Sequence, residues 1–323
     1  MRHATLDGLG IVSRLTLGGG GIGQAWGETT RDEAAATLTS AIDQGIDLID
    51  TAPMYLNCEA IIGETFQGAL PSHVKTTTKC QLGTPGPGRA AEILEASLAA
   101  SLAAMRLSRI DVFFLHSSLA ADDYVYARGD ERRDRFSTRW STYVEEVIPT
   151  FERLKAQGRI GAWGITGIGV PERVLAALDH ESRPDLVQVI SNLLDSPGGI
   201  RQYAEPPQPR DILAKAKANG VGVMGIRAVQ AGALTQALDR NTSPNHPETR
   251  DYERAASFRA LCNTWGEGPA NIAHRYALGM DGVATLVLGV KNRDELNQAL
   301  EAEAAGPLTA EQVAQIDQLG LRV

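Results

Sequence analysis

The sequence has few of the residues on which secreted, membrane and nucleic-acid-binding proteins depend. Its 3 cysteines in 323 residues are odd in number and lack metal-site spacing, so we expect free thiols in a reducing cytoplasm. No apolar run approaches the roughly 20 residues that a membrane span needs, and the amino-terminal residues lack the apolar core of a secretory signal. With 31 basic against 39 acidic residues, the net charge of −8 argues against nucleic acid or an anionic membrane as a partner.

Several catalytic motifs are also missing. The chain contains no HExxH metal motif and no GxSxG nucleophile elbow, so we expect neither a metal site nor hydrolase chemistry. Gly18, Gly20 and Gly23 match GxGxxG, but no helix signal follows them at once, which disfavours a Rossmann dinucleotide site. We interpret these glycines as a strand end where the backbone closely approaches another group.

Strand and helix patterns alternate along most of the chain. In the helical pattern at 89–106, Leu94, Leu98, Leu102 and Met105 share one face. Gly45, Gly158 and Gly220 each close a helix just before a strand. The patterns predict strands at 15–18, 46–50, 74–79, 110–116, 161–166, 186–191, 221–226 and 284–288. They predict helices near 31–44, 57–70, 89–106, 143–157, 172–179, 209–219, 253–279 and 292–303.

Eight strand–helix units predict an α/β fold, a closed (β/α)8 barrel forming one domain over residues 1–323. An open doubly wound sheet would also alternate, but eight regular units favour closure. A β-hairpin with Asp7-Gly8 at its turn is expected at 6–13, outside the repeating units. An extra C-terminal helix is expected at 308–320, capped by Thr309.

Two connections are too long for plain turns. Residues 117–142 hold mixed charges and four aromatic residues, and residues 235–252 are polar with two prolines. Both follow the carboxyl ends of predicted strands, so both could cover a site there. A solvated surface excursion stays open as an alternative for each.

Ionisable residues follow three consecutive predicted strands at the same end. Asp50 ends the strand in IDLIDTAPMY, Lys79 ends the next and His116 the one after, with Tyr55 in the first connecting loop. The carboxyl ends of parallel barrel strands are where such folds build active sites. An ammonium beside a tyrosine favours the phenolate, and a carboxylate holds the ammonium in place. The set suits proton transfer to or from an oxygen whose carbon gains or loses hydride.

At these residues the chain resembles the aldo-keto reductases from end to end. The resemblance rests on GIDLIDTAPMY, ExxIG at 59–63, TK at 78–79, FFLH at 113–116, RIGAWGIT at 159–166 and VLGVKNRDEL at 287–296. It implies Asp50, Tyr55, Lys79 and His116 as the catalytic tetrad. Tyr55 would be the general acid in reduction and the base in oxidation.

The resemblance also implies an extended NAD(P) cofactor across the top of the barrel and a small carbonyl or alcohol substrate. Gly19, Gly20 and Asp50 would lie near the nicotinamide, and Thr166 and Gln188 would hold its carboxamide. Ile226 replaces an aromatic residue that usually stacks on the nicotinamide. Arg227 takes a position near the diphosphate. The adenosine-phosphate segment would comprise Gly289, Val290, Lys291, Arg293 and Glu295.

Choice between NADP and NAD stays open in the sequence. Glu295 stands where many members place a basic or amide residue, and a carboxylate repels a 2′-phosphate but can accept from a ribose hydroxyl. Lys291 and Arg293 favour the 2′-phosphate of NADP, and the usual cofactor of the family is also NADP.

The resemblance leaves two other functions open. One is a non-catalytic relative that senses cofactor, and the other is a dehydrogenase working in the oxidative direction. A Schiff-base lyase using Lys79 is a further hypothesis, although pairing of Lys79 with Asp50 argues against a free amine. The oligomeric state is open.

Overall fold

The computed structural model describes residues 1–126, 134–238 and 243–323. Its strands are β1 His3–Leu6, β2 Gly10–Ser13, β3 Leu15–Gly18, β4 Leu48–Asp50, β5 Lys75–Cys80, β6 Ile110–Leu115, β7 Ser118–Ala120, β8 Ser137–Arg139, β9 Ile160–Thr166, β10 Leu186–Ile190, β11 Gly222–Ile226 and β12 Val283–Leu288.

Its helices are α1 Gly19–Ile22, α2 Arg31–Asp43, α3 Cys58–Phe66, α4 Ala90–Met105, α5 Trp140–Thr142, α6 Ile148–Ala156, α7 Pro171–Asp179, α8 Pro209–Ala218, α9 Pro247–Arg254, α10 Ala256–Trp265, α11 Pro269–Leu278, α12 Arg293–Ala304 and α13 Ala310–Gln318. A π-helical turn at Tyr143–Val147 joins α5 to α6. Among the residues described, no helix is both long enough and apolar enough to cross a membrane.

Eight strands close into a parallel barrel, as the sequence predicts. Its ring runs β3, β4, β5, β6, β9, β10, β11 and β12, and β12 returns to pair with β3 through Leu286 opposite Leu15. The helices that alternate with the strands along the chain pack against them. The apolar faces of strands and helices are buried against each other in this way. The prediction of a (β/α)8 barrel is therefore confirmed.

Alternation along the strands decides which side chains enter the barrel. Leu48, Val112, Phe114 and Leu186 form an apolar cluster with Leu6 and Val12 of the hairpin. The hairpin thus closes the amino-terminal end of the barrel. Because strand side chains alternate with a period of two, the next inward positions along the same strands face the opposite, open end.

The predicted hairpin and the predicted signals at helix ends are confirmed. The hairpin pairs β1 with β2 antiparallel, from His3 opposite Ser13 to Leu6 opposite Gly10. Thr309 caps α13 in a capping box with Gln312. The helix-closing glycines all have positive φ, which glycine adopts without steric cost; they are Gly45, Gly158 and Gly220.

The predicted continuous helix at 253–279 is wrong. Residues 253–254 end α9, and the rest divides into α10 and α11, because Gly266 has a left-handed φ of 68° at the end of α10 and Pro269 begins α11. The preceding helix α9, Pro247–Arg254, begins inside the connection 235–252 that the sequence indicated as polar loop and ends within the predicted helix.

The connection 117–142 has strand pairing that the sequence did not predict, since β7 and β8 form a short parallel pair within it. Residues 127–133 of this connection and residues 239–242 of the other lie outside the described residues.

Close backbone approach explains the glycine-rich strand end. Gly18, Gly21 and Gly23 have no room for a side chain, because an added Cβ on each would lie 2.0 Å from a backbone oxygen. The oxygens belong to Leu288, Val290 and Tyr55 respectively. The one-turn helix α1 was not predicted, and its glycines serve packing within the chain.

Candidate active site

Asp50 and Lys79 form a fully buried ion pair at the open end of the barrel. Lys79 Nζ donates to Asp50 Oδ2 at 2.6 Å and to the carbonyl oxygen of Thr51 at 2.9 Å. Their side chains are 1% and 0% exposed. Burial alone would lower the pKa of Lys79, but the charge of Asp50 and the nearby Tyr55 outweigh it, so the pKa is raised. A permanently charged Lys79 is a poor Schiff-base nucleophile.

The second oxygen of Asp50 has two neutral donors. Thr77 Oγ1 donates to Asp50 Oδ1 at 2.6 Å, and Gln188 Nε2 donates to the same oxygen at 2.7 Å. Both donors are buried. The family resemblance assigned Gln188 to a cofactor carboxamide, and the sequence gave Thr77 no role. The structure adds their hydrogen bonds to Asp50, which strand periodicity alone could not indicate.

Tyr55 lies on a short 3-10 turn, Pro53–Tyr55, beside this pair. Lys79 Nζ is 4.8 Å from the centroid of the Tyr55 ring. Burial raises the pKa of Tyr55, and the charge of Lys79 opposes that rise. The sequence argument considered the lowering influence of Lys79 alone; in the folded chain burial is the larger effect, and the phenol stays protonated at neutral pH.

His116 completes the group that the sequence predicted. Its ring meets the Tyr55 ring edge-on, with centroids 5.8 Å apart. Burial, and then the charge of Lys79, lower the pKa of His116 to about 3. His116 Nδ1 is buried without a hydrogen-bond partner among the described residues. A neutral imidazole at this position can donate or accept one hydrogen bond towards a ligand.

Trp26 is a neighbour of Tyr55 that sequence reasoning missed. The two ring centroids lie 6.0 Å apart, and Trp26 is 46% exposed. An added Cβ on Gly20 would lie 1.7 Å from Trp26 Nε1, and one on Gly19 would lie 2.3 Å from Cys58 Sγ. Both glycines that the resemblance placed near the nicotinamide therefore also make room for side chains of the chain itself.

The remaining predicted cofactor residues on the barrel lie at strand ends. Thr166 is buried at the end of β9, where its hydroxyl contacts the carbonyl oxygens of Leu115 and His116 at 3.4 and 3.3 Å. Ile226 ends β11. Arg227 follows with a left-handed φ of 61° and donates to Gln230 at 2.8 Å and to Glu248 at 2.9 Å.

The adenosine-phosphate segment carries two cations that are each paired with a carboxylate. Lys291 Nζ lies 3.1 Å from Glu295 Oε1, and the Lys291 amide donates to Glu295 Oε2 at 2.8 Å. Arg293 binds Glu33 of α2 through its amide and its guanidinium. These contacts lower the pKa of Glu33 to about 2. Gly289 is exposed and Val290 is buried beside them.

Comparison with known proteins shows the family and the fold. A model of the aldo/keto reductase family matches residues 14–320. The chain is 25% identical over 295 residues to L-galactose dehydrogenase from Arabidopsis thaliana, covering 90% of this chain and 84% of that protein. It is 25% identical over 331 residues to D-threo-aldose 1-dehydrogenase from a Pseudomonas species, covering 93% and 92%. The holo form of aldo-keto reductase AKR11C1 from Bacillus halodurans superposes with a TM-score of 0.74 at 22% identity, covering 99% and 96%.

Proposed function

The chain belongs to the aldo/keto reductase family, whose members are oxidoreductases, and we propose from this that it interconverts a carbonyl and an alcohol with Tyr55 as general acid and base. The observation that carries the proposal is the buried Asp50–Lys79 pair, which holds an ammonium 4.8 Å from the centre of the Tyr55 ring. A permanent positive charge there stabilises the phenolate that forms when Tyr55 gives up its proton.

Each of the four side chains has a distinct role in this proposal. Tyr55 donates its proton to the developing alkoxide in reduction and removes the alcohol proton in oxidation. Lys79 stabilises the phenolate, and Asp50 holds Lys79 in place. Neutral His116 orients the substrate oxygen by a hydrogen bond. Because burial raises the pKa of Tyr55, we expect reduction to be favoured at neutral pH and oxidation at alkaline pH.

The residues fit a nicotinamide cofactor, which would supply or accept the hydride when bound. Thr166 and Gln188 place buried polar groups at the barrel mouth. Around Gly289 there is open space, since an added Cβ would have its nearest neighbour at 4.0 Å. Arg227, Lys291 and Arg293 are cations that could bind the cofactor phosphates in exchange for the carboxylates with which they now pair.

For the cofactor we propose a preference for NAD(H) over NADP(H). Lys291 and Arg293 are already neutralised by Glu295 and Glu33, so a 2′-phosphate would have to displace a carboxylate from at least one cation. A ribose hydroxyl displaces no carboxylate, because it can donate a hydrogen bond to one. These pairs support NAD(H) in the choice that the sequence left open.

Sugars are the first substrates to test. Two relatives that cover most of this chain are named as an L-galactose and a D-threo-aldose dehydrogenase. Turnover should be measured with NADH and small aldehydes near neutral pH, and with NAD and free aldoses at alkaline pH. Binding of cofactor without turnover in either direction would favour the cofactor-sensing alternative.

Tyr55→Phe tests the assignment directly. It should lower kcat by about 10²–10⁴-fold, the range that general acid catalysis supplies, and leave the dissociation constant of the cofactor nearly unchanged. Tyr143→Phe is the control, since Tyr143 is a tyrosine away from the site that is buried and packs against Trp140. A Tyr55→Phe enzyme that keeps kcat within threefold of the wild type would remove Tyr55 from the mechanism.

A further inference from the structure

The Asp50 carboxylate is held by donors from two strands, β5 and β10. Lys79 donates a hydrogen bond to Oδ2, while Thr77 and Gln188 both donate to Oδ1. Thr77 lies on β5 directly opposite Asp50 in the strand register. All four side chains are buried, with exposures of 2% or less.

Gln188 reaches Asp50 from the far wall of the barrel. Its strand β10 is separated from β4 by β5, β6 and β9 in one direction and by β3, β12 and β11 in the other. The hydrogen bond from Gln188 therefore crosses the barrel interior, whereas that from Thr77 comes from the adjacent strand. Two donors at such different angles prevent rotation of the carboxylate about its terminal bond.

We propose that Thr77 is a positioning residue for proton transfer: its hydroxyl fixes the Asp50 carboxylate so that the other oxygen holds the Lys79 ammonium against Tyr55. This inference rests on the proposed function, because it extends the same proton-transfer site by one residue. Thr77 touches neither the reacting atoms nor the cofactor in this scheme, and it acts through Asp50 and Lys79.

The physical consequence of losing the Thr77 hydroxyl has a definite sign. A donated hydrogen bond stabilises negative charge on Asp50. Without it, more negative charge faces Lys79, which weakens the field of the ammonium at Tyr55 and raises the pKa of the phenol. The carboxylate also gains freedom to rotate, and the ammonium follows it away from Tyr55.

The test compares Thr77→Val with Thr77→Ser and with Thr285→Val. Valine keeps the β-branched shape without the donor, and serine keeps the donor. Thr285 is a matched control, because it is a buried threonine on β12 whose hydroxyl bonds Thr16. Thr77→Ala is a second variant without the donor, to be used if valine prevents folding.

We expect Thr77→Val to lower kcat about tenfold, the scale of a hydrogen bond to a charged group, with KM changed less than twofold. The ionisation of Tyr55 in the pH profile of alcohol oxidation should move to higher pH, and Thr77→Ser should restore both values. A structural role alone would lower stability without moving this ionisation. Kinetics and a pH profile for Thr77→Val that match those of Thr285→Val would overturn the proposal.

A second readout separates failure of this inference from failure of the proposed function. Tyrosine labelled with carbon-13 at Cζ reports ionisation of Tyr55 by NMR, with the resonance assigned from Tyr55→Phe. A higher Tyr55 pKa in Thr77→Val than in the wild type supports the positioning role even if no substrate is turned over. An unchanged Tyr55 pKa contradicts it even if the wild type is an active reductase.

Discussion

The barrel mouth and the adenosine-phosphate segment both pair cations with carboxylates, but at very different depths. Lys79 and Asp50 approach to 2.6 Å with side chains 0% and 1% exposed. Arg293 and Glu33 approach to 2.8 Å with side chains 55% and 27% exposed. Similar distances therefore accompany quite different environments.

This difference in burial separates a permanent pair from an exchangeable one. A buried cation that loses its partner leaves an uncompensated charge in the interior, so the tetrad pair is fixed in the folded state. An exposed pair gains little and is screened by salt, so its cation can change partner when a phosphate arrives. In the proposed function, catalysis uses the buried pair and reversible cofactor binding uses the more exposed one.

Removing one cation from each pair should give the largest contrast. Lys79→Met should lower the free energy of unfolding by about 3–5 kcal/mol, the usual cost of leaving a buried charge without its partner. Arg293→Met should change it by no more than the error of the measurement. Both values come from urea unfolding at neutral pH.

The combined variant Asp50→Leu with Lys79→Met serves as the control, since replacing both charges with apolar groups should recover much of the lost stability. Equal losses in Lys79→Met and Arg293→Met would show that depth does not distinguish the two pairs.

Cofactor preference should respond by a smaller amount to the Arg293–Glu33 pair and to the partly exposed Lys291–Glu295 pair. Glu33→Gln or Glu295→Gln releases Arg293 or Lys291 to meet a 2′-phosphate, so each should move the ratio of dissociation constants towards NADPH. An exposed pair supports a shift of up to about fivefold. The measurement is titration of NADH and NADPH by intrinsic fluorescence.

Glu64→Gln is the matched control for that shift, because Glu64 pairs with Arg31 in another exposed ion pair, at 2.7 Å. A ratio that moves in Glu64→Gln as much as in Glu33→Gln would indicate a general charge effect. Unchanged ratios in both Glu33→Gln and Glu295→Gln would show that these carboxylates do not oppose the phosphate.

Sequence patterns predicted the barrel and the strand-end positions of Asp50, Lys79 and His116 because both depend on local regularities. Strand periodicity and chain order suffice to bring Asp50, Lys79 and His116 to one end of a parallel barrel. Partners far apart in the chain could not be predicted in this way. Arg293 and Glu33 are 260 residues apart, and Gln188 and Asp50 are 138 apart. Their pairing depends on which helices and strands become neighbours when the barrel closes.

The break at Gly266 had a local signal that the predicted helix at 253–279 overlooked. A glycine followed within three residues by proline is a helix stop and start, and the apolar periodicity on both sides concealed it. The short strands β7 and β8 had no such signal, since three-residue strands carry too little periodicity to detect.

Acid should destabilise the two regions at different pH values. The pKa of His116 is about 3 in the folded chain and about 6.5 unfolded, so its contribution to stability is present above pH 6.5 and declines as the pH falls towards 3. The pKa of Glu33 is lowered from its ordinary value of 4.5 to about 2. The contribution of the Glu33–Arg293 pair to stability therefore declines only below about pH 4.5.

His116→Gln should therefore flatten the fall in melting temperature between pH 6.5 and 4.5, while Glu33→Gln should leave that range unchanged and act below it. The effect of His116→Gln will be partial, because burial also lowers the pKa of His274, to about 4, in the same window. The measurement is the melting temperature at half-unit steps from pH 8 to pH 3. If His116→Gln and the wild type have parallel curves, the pKa of His116 is the same in the folded and unfolded chain, and the imidazole gains its charge in the folded chain below about pH 6.5. It would then act as a proton donor in its own right, and the pH dependence of catalysis would no longer belong to Tyr55 alone.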